Sequence, residues 1–388
     1  MEVEKYLELL KSHLHFVTLQ NCGFVLLGIF SVSCFIQLCY YLFSFTKLAF
    51  HKVKEPEKNF PPVSVIVCSR NEMENLESFL PSLLEQDYPK FQVIVVNDCS
   101  WDESEKYLEQ MEEKFSHLKV VTLKEQERYS HGKKFALALG IKAADYEHLL
   151  LTDADCYPQS KTWIKEMIGS YKPETEIVIG YGAYTKEKSF INTWVRFDTV
   201  FNAVQYFSSA LCKNPYMGVG RNLSYKKSLF FRNKGFASHF HITSGDDDLF
   251  INETATSKNT EVCLHPTSFT YSKPKTNFSA WFHQKKRHIS ASKLYKGNHK
   301  FKLGLFFTSQ ILFYFSLIAL LIIKFKLMWV VSAFALRLVL QMGIFGKSMK
   351  LLNEKDLILL IPFYDLFIAL IYPVLALSNM IFKPKAWK

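Results

Sequence analysis

The sequence predicts an α/β domain, a mostly parallel sheet with helices on both faces, held between membrane helices at the two ends of the chain. Three observations lead there. Apolar residues of the 388-residue chain collect at its ends, while the middle has the mixture of a soluble domain. Short β-branched runs alternate with helically spaced segments through that middle, the pattern of strands joined by helical crossovers. Several stretches near the ends are long and almost free of charge, and about 20 such residues cross a bilayer.

From Val17 to Phe45 the chain carries no acidic or basic side chain. That stretch is too long, and starts too late, for a cleaved leader, so a retained helix is expected. Lys47, His51, Lys52, Lys54 and Lys58 follow it, and the bias of basic residues toward the inner face puts the next domain in the cytoplasm. Pro56, Pro61 and Pro62 mark a linker. Val63–Cys68 reads as a buried strand, and Asn71–Glu85 as a helix with Leu76, Phe79, Leu80, Leu83 and Leu84 at helical spacing. Phe91–Val96 is a second strand ending in Asn97-Asp98, Glu103–Phe115 a helix, Leu118–Leu123 a strand. Gly132–Ala144 reads as helix and His148–Thr152 as strand.

Residues 303–323, 327–345 and 357–382 can each span a membrane. Four crossings would leave both termini outside, yet Lys383, Lys385 and Lys388 argue for an inner C-terminus. The two inferences agree only if one segment is re-entrant or interfacial, and Arg337 and Asp365 make the last two the doubtful ones. The expected division is 1–55, with one membrane helix, 56–295 as the central domain, and 296–388 as a C-terminal membrane region.

Lys and Arg outnumber Asp and Glu by 47 to 36, a formal charge of +11. With no zinc-finger spacing and no RNP-type motif, no nucleic-acid partner is expected. Membrane lipids and an anionic ligand are the favoured partners of this charge. None of the 8 cysteines forms a C-x-x-C pair, which speaks against structural zinc and for buried thiols in a reducing compartment.

Ligands of such sheets bind beyond the C-terminal strand ends, where Asp98 and Asp153 sit. Asp153-Ala-Asp155 can offer hard oxygens to Mg²⁺ or Mn²⁺, although an Asp pair at a strand end is equally a turn. Arg70, Asn71 and Glu72 follow the first strand and could meet a ribose or diphosphate. His131-Gly-Lys133-Lys134 opens a helix, which suits an anion. Ser244-Gly-Asp246-Asp247-Asp248 crowds three carboxylates, and crowding raises proton affinity as a general base requires. The same acids would also favour a helix N-terminus. Gln284-Lys-Lys-Arg287-His288 precedes the C-terminal apolar block, as a diphosphate cluster or a stripe against anionic lipid.

In this order, the motifs resemble glycosyltransferase family 2, the inverting enzymes with a GT-A fold, over about residues 60–290; the tail helices resemble those of its membrane-integral members. The resemblance implies a nucleotide-sugar donor held by Arg70, Glu72, Asp98, Lys133, Asp153, Asn222, Gln284 and Arg287, with Asn222 inside the glycine-led segment Gly218–Lys226. It implies that Asp155 ligates the metal and that Asp246 is the catalytic base, or Asp247 in the adjacent register, since Gly245 stands where the family has an acid. His288 stands where the family has tryptophan, which puts processivity in doubt and favours a lipid-linked or single-addition acceptor. It also implies an integral membrane protein, expected in a bacterial inner membrane. A nucleotidyl- or phospho-transferase on a similar sheet would leave the later acidic and Gln/Arg elements without a purpose. A non-catalytic scaffold or transporter would use Arg337 and Asp365 as a polar path.

Overall fold

The computed structural model describes residues 2–57, 59–124, 132–242 and 244–381, and of residues 2–19 the helical backbone alone. Lys58, His131, Lys383, Lys385 and Lys388 lie outside the described residues.

The chain begins with α1 (Glu2–Cys39), runs through a wide turn at Tyr40–Phe45 and ends this first helical stretch in α2 (Thr46–Ala49). The central region then alternates β1 (Val63–Ser69), α3 (Met73–Leu84), β2 (Phe91–Asp98), α4 (Ser104–Lys114), β3 (Leu118–Leu123), α5 (Lys133–Ala143) and β4 (His148–Asp153). Next come β5 (Cys156–Pro158), α6 (Trp163–Ile168), β6 (Ile177–Ile179), β7 (Gly182–Tyr184), α7 (Phe190–Leu211), β8 (Leu223–Lys226) and α8 (Lys227–Arg232). The region closes with α9 (Asp248–Thr254), β9 (Thr260–Val262), β10 (Thr270–Ser272) and α10 (Phe278–Ala291). Three long helices follow, α11 (Gly297–Ile322), α12 (Leu327–Leu351) and α13 (Ile361–Ile381).

Seven strands pair in the order β3-β2-β1-β4-β8-β6-β9. β1 runs parallel to β2 and β4, and β2 parallel to β3, as the alternating pattern predicts. β8 runs antiparallel to both β4 and β6, so the sheet is mixed beyond β4. A second sheet, β5-β10-β7, is built of three-residue strands.

Alternation along the strands sends side chains to two cores. Val65, Val67, Val93, Val95 and Leu150 face α3, α4 and α6, meeting Leu76, Leu80, Leu108 and Trp163. Ile66, Ile94, Val96, Leu149 and Leu151 face the other way, against Ala136, Leu137 and Ile141 of α5. That second core continues without a break through Trp194 and Phe201 of α7 to Phe306, Phe345 and Ile368 of the long helices.

Among the described residues, four helical stretches are long and apolar enough to cross a membrane, Gln20–Ala49, Gly297–Ile322, Leu327–Leu351 and Lys355–Ile381. Arg337 and Asp365, both fully buried, bond each other at 2.9 Å. Gln37 and Gln341 also meet the guanidinium, while Gln310 and Tyr314 donate to Asp365. The pair is thus consumed in ties among four helices rather than lining a polar path.

Candidate active site

The site lies where parallel β1 and β4 end side by side, with Cys68 opposite Asp153 in the register. The loops after β1 and β2 are stitched together there. Asn71 and Cys99 take left-handed backbone angles, φ 54° and 53°, and the amide of Asn71 donates to Ser100 Oγ at 2.9 Å. Asn71 Oδ1 accepts from the Trp101 amide, and Asp102 accepts from that of Met73.

Lys133, first residue of α5, holds two of the expected acids at once. Its Nζ lies 2.8 Å from Asp153 Oδ1 and 2.8 Å from Asp246 Oδ2. Burial favours the neutral amine, but the two carboxylates outweigh it and hold Lys133 protonated. Burial likewise favours the neutral acid at Asp246, and the Lys133 charge and hydrogen bond reverse this, leaving the carboxyl below the ordinary aspartate range.

Asp247 lines the same pocket with different duties. It caps α9, accepting from the Asp248 amide at 2.7 Å and from the Gly220 amide at 2.8 Å. Burial and the Asp246 charge push it up to about 6. Asp248 turns inward, accepting from Tyr295 Oη at 2.6 Å. One turn on, Asn252 of α9 donates to the Tyr216 carbonyl and contacts His299 Nδ1 of α11 at 3.0 Å. Lys134 fixes the approach to these acids, donating to the carbonyls of His239 and Ile242 at 2.6 and 3.0 Å.

Asp153, Asp155 and Cys156 each present a ligand atom within 4.8 Å of the others. Burial and then the Asp153 charge raise Asp155, a crowding that a divalent cation would relieve. Two carboxylates supply the hard oxygens that Mg²⁺ and Mn²⁺ prefer, so the donor set fits the expected ion. The Cys156 thiol, raised by burial and then by Asp155, stays protonated beside them.

Glu72 is half-buried and within electrostatic reach of Asp155. Arg70 opens the same loop, directly after β1. Asp98 is buried at the end of β2, and neither of its carboxylate oxygens has a hydrogen-bond partner among the described residues; the same holds for the side chain of Asn97. Gln284 lies against the Tyr184 hydroxyl, and the Arg287 carbonyl accepts from Ser244 Oγ at 3.4 Å, which ties α10 to the acidic segment.

Asn222 is not part of this cluster. It is fully buried, its Nδ2 donates to the carbonyls of Tyr181 and Ser268, and its Oδ1 accepts from the Trp163 indole. Its neighbour Arg221 takes the place beside the site instead. The guanidinium sits 4.2 Å from the Tyr184 ring centroid and bonds Ala183 O and Ser272 Oγ at 3.1 Å. Charge attraction couples it to Asp155 and Asp153. Sequence reasoning passed over Arg221; the signal was a cation inside the glycine-led segment.

Residues 64–238, which carry most of this constellation, match the profile described as Glycosyl transferase family 2. The match runs from β1 to just beyond α8 and covers somewhat less than half of the chain. The chain is 25% identical over 160 residues to an uncharacterized glycosyltransferase of Haemophilus influenzae, covering 41% of this chain and 46% of that one. Over 103 residues it is 32% identical to a poly-beta-1,6-N-acetyl-D-glucosamine synthase of Staphylococcus epidermidis, 26% of this chain and 24% of the relative. The chain therefore spans less than half the length of these relatives. A mannosyltransferase from Pyrobaculum calidifontis, solved in complex with GDP-Man and Mn²⁺, superposes with a TM-score of 0.57 at 18% identity, over 90% of this chain and 98% of that one. At that identity the likeness speaks for the fold. The fold is GT-A-like, a mixed sheet between helices, as the resemblance implied.

Proposed function

We propose that this family-2 protein transfers a sugar, with inversion, from a nucleoside diphosphate donor to a hydroxyl of a lipid-linked or growing glycan acceptor at the cytosolic face of a membrane. The observation that carries the proposal is Lys133 bridging Asp153 and Asp246 beside the Asp155 ligand set. One side of that bridge suits the donor phosphates, and the other suits the acceptor hydroxyl.

In the proposed step the acceptor oxygen attacks the anomeric carbon, the bond to the diphosphate breaks, and the hydroxyl proton passes to Asp246. Asp247 is occupied as a helix cap, which favours Asp246 as the base. Mg²⁺ or Mn²⁺ held by Asp155, with Asp153 beside it, would supply positive charge to the leaving diphosphate. Lys133 and Arg287 add to that charge from the protein. A diphosphate beside Lys133 competes with Asp246 for the ammonium, so the base gains proton affinity as the donor arrives. The carboxylate of Asp98, without a partner among the described residues, suits a donor base or ribose, and Arg70 and Glu72 follow β1, the strand parallel to β2. A uridine nucleotide is the first donor to test, from the family resemblance. The bacterial inner membrane is the proposed location, in keeping with the two bacterial relatives above.

The test is binding of nucleotide sugars to the detergent-purified chain with Mn²⁺ or Mg²⁺, beside Asp155→Ala. Metal-dependent binding of one donor, lost in the variant, is expected. Folded protein that binds no donor would overturn the reading in favour of a non-catalytic scaffold.

A further inference from the structure

Resting on the reading that α1, α11 and α12 cross the membrane, we infer that α13 does not cross it but lies along the membrane surface of the catalytic domain, with one apolar face in the adjoining leaflet. Length and composition do not separate these helices, since all four stretches are apolar enough to span. Their partners do.

The three crossing helices leave the domain behind. Near it, Tyr40 of the first stretch donates to the Lys302 carbonyl of α11, and Lys347 of α12 sits over Phe50 at 3.8 Å. At their other end Phe24 lies against Phe325 at 5.0 Å and Trp329 against Ser31 at 3.4 Å, and the apolar cluster between these helices takes in only Leu366 and Ala369 of the described α13 residues.

α13 meets the domain at its start, its middle and its end. Tyr364 Oη lies 2.6 Å from Thr193 Oγ1, and the Phe367 ring 4.5 Å from that of Trp194. Tyr372 donates to Asp198 at 2.7 Å, and Asn379 to the Lys286 carbonyl at 2.9 Å. From Tyr364 to Asn379 a helix advances about 22 Å, most of the hydrocarbon thickness it would have to traverse. Its partners at the C-terminal end are charged elements of the domain, Lys285 paired with Asp198 at 2.9 Å, and such groups do not sit in mid-bilayer.

The side-chain pattern agrees. Tyr364, Ile368, Leu375 and Asn379 are buried on one face, whereas Phe363, Leu370, Val374, Leu377 and Ile381 are exposed on the opposite one. The Asp365 tie to Arg337 joins α13 to the crossing bundle, so acyl chains that cover α11 and α12 also cover this apolar stripe. Three crossings then leave the C-terminus on the domain's side, which removes the conflict raised by Lys383, Lys385 and Lys388.

The experiment places a cleavable epitope tag at either end of the full chain and exposes oriented membrane vesicles, right-side-out and inside-out, to protease. The C-terminal tag is expected to be lost in the orientation that digests the catalytic domain, and the N-terminal tag in the other. A C-terminal tag lost together with the N-terminal one, opposite the domain, overturns the in-plane placement of α13 and leaves the other crossings standing. Both tags lost together with the domain would instead overturn the crossing by α1 on which the inference rests.

Discussion

Asp246 and Asp247 are neighbours in sequence with the same side chain, and their partners set them apart. Replacing Asp246 with Asn keeps its size and removes the proton acceptor, so transfer should fall by roughly 10²–10⁴-fold with donor binding largely kept. Steady-state rates beside a donor-binding isotherm would check this, and an Asp246→Asn enzyme of near-normal rate would remove the base assignment. Asp247→Ala deletes the cap of α9, and a thermal or denaturant transition should show a loss of about 1 kcal/mol. Asp248 has a third behaviour. Burial and the Asp247 charge push it up to about 7, whereas an unfolded aspartate titrates at about 3.9. The folded state binds the extra proton between those values, so stability should fall as pH rises from about 4 to about 7. Asp246, held low, acts in the opposite sense at more acid pH. Melting curves across that range should be flatter for Asp248→Asn. The three acids were legible as a cluster in the sequence. Which of them caps, which pairs and which turns inward was not, because that depends on Gly220, Lys133 and Tyr295, all distant along the chain. Asn222 illustrates the converse, a polar residue in a suggestive segment whose amide is used up by the core.

At the level of elements, the β-branched runs announced β1 to β4 to within a few residues, and the uncharged stretches located the long helices, although α1 begins at Glu2, well ahead of its uncharged stretch. The three-residue strands β5, β7 and β10 left no periodicity to read, since alternation needs more positions than they have. The antiparallel entry of β8 was hidden for a similar reason, its direction being set by the chain that loops round through α7. Arg337 and Asp365 carried a readable signal: opposite charges inside two apolar stretches are expected to find each other. Removing one partner leaves the other charge buried, so Asp365→Leu should destabilise the bundle by about 3–5 kcal/mol. The double change Arg337→Leu with Asp365→Leu should recover much of that loss. Unfolding of the purified protein in detergent would show whether the second substitution rescues the first.

For the whole molecule, one continuous core joins the sheet to the long helices through α7. Arg196 of α7, itself buried, pairs with Glu354 and with Asp356 at 2.7 Å in the turn between α12 and α13. Sequence reading placed a boundary near residue 295 because hydropathy changes there, but hydropathy does not report a shared interior. Residues 56–295 produced alone would bare Trp194, Phe201 and Trp281, and are expected to aggregate in buffer without detergent. Sedimentation or size exclusion of that fragment decides the matter, and a monodisperse soluble fragment would show that the domain seals itself.

The bonds from Asp248 to Tyr295 and from Asn252 to His299 have a mechanical side. They hang the helix that carries the acids from the root of α11, a helix long and apolar enough to cross a bilayer, whose height, on the membrane placement proposed above, follows the bilayer's thickness. Lipids that are too short or too long make such a helix tilt or shift, and the linkage passes that adjustment to the carboxylates. Turnover in nanodiscs of graded acyl length should therefore peak at one thickness, with the membrane acting as a tuning element for the chemistry above it.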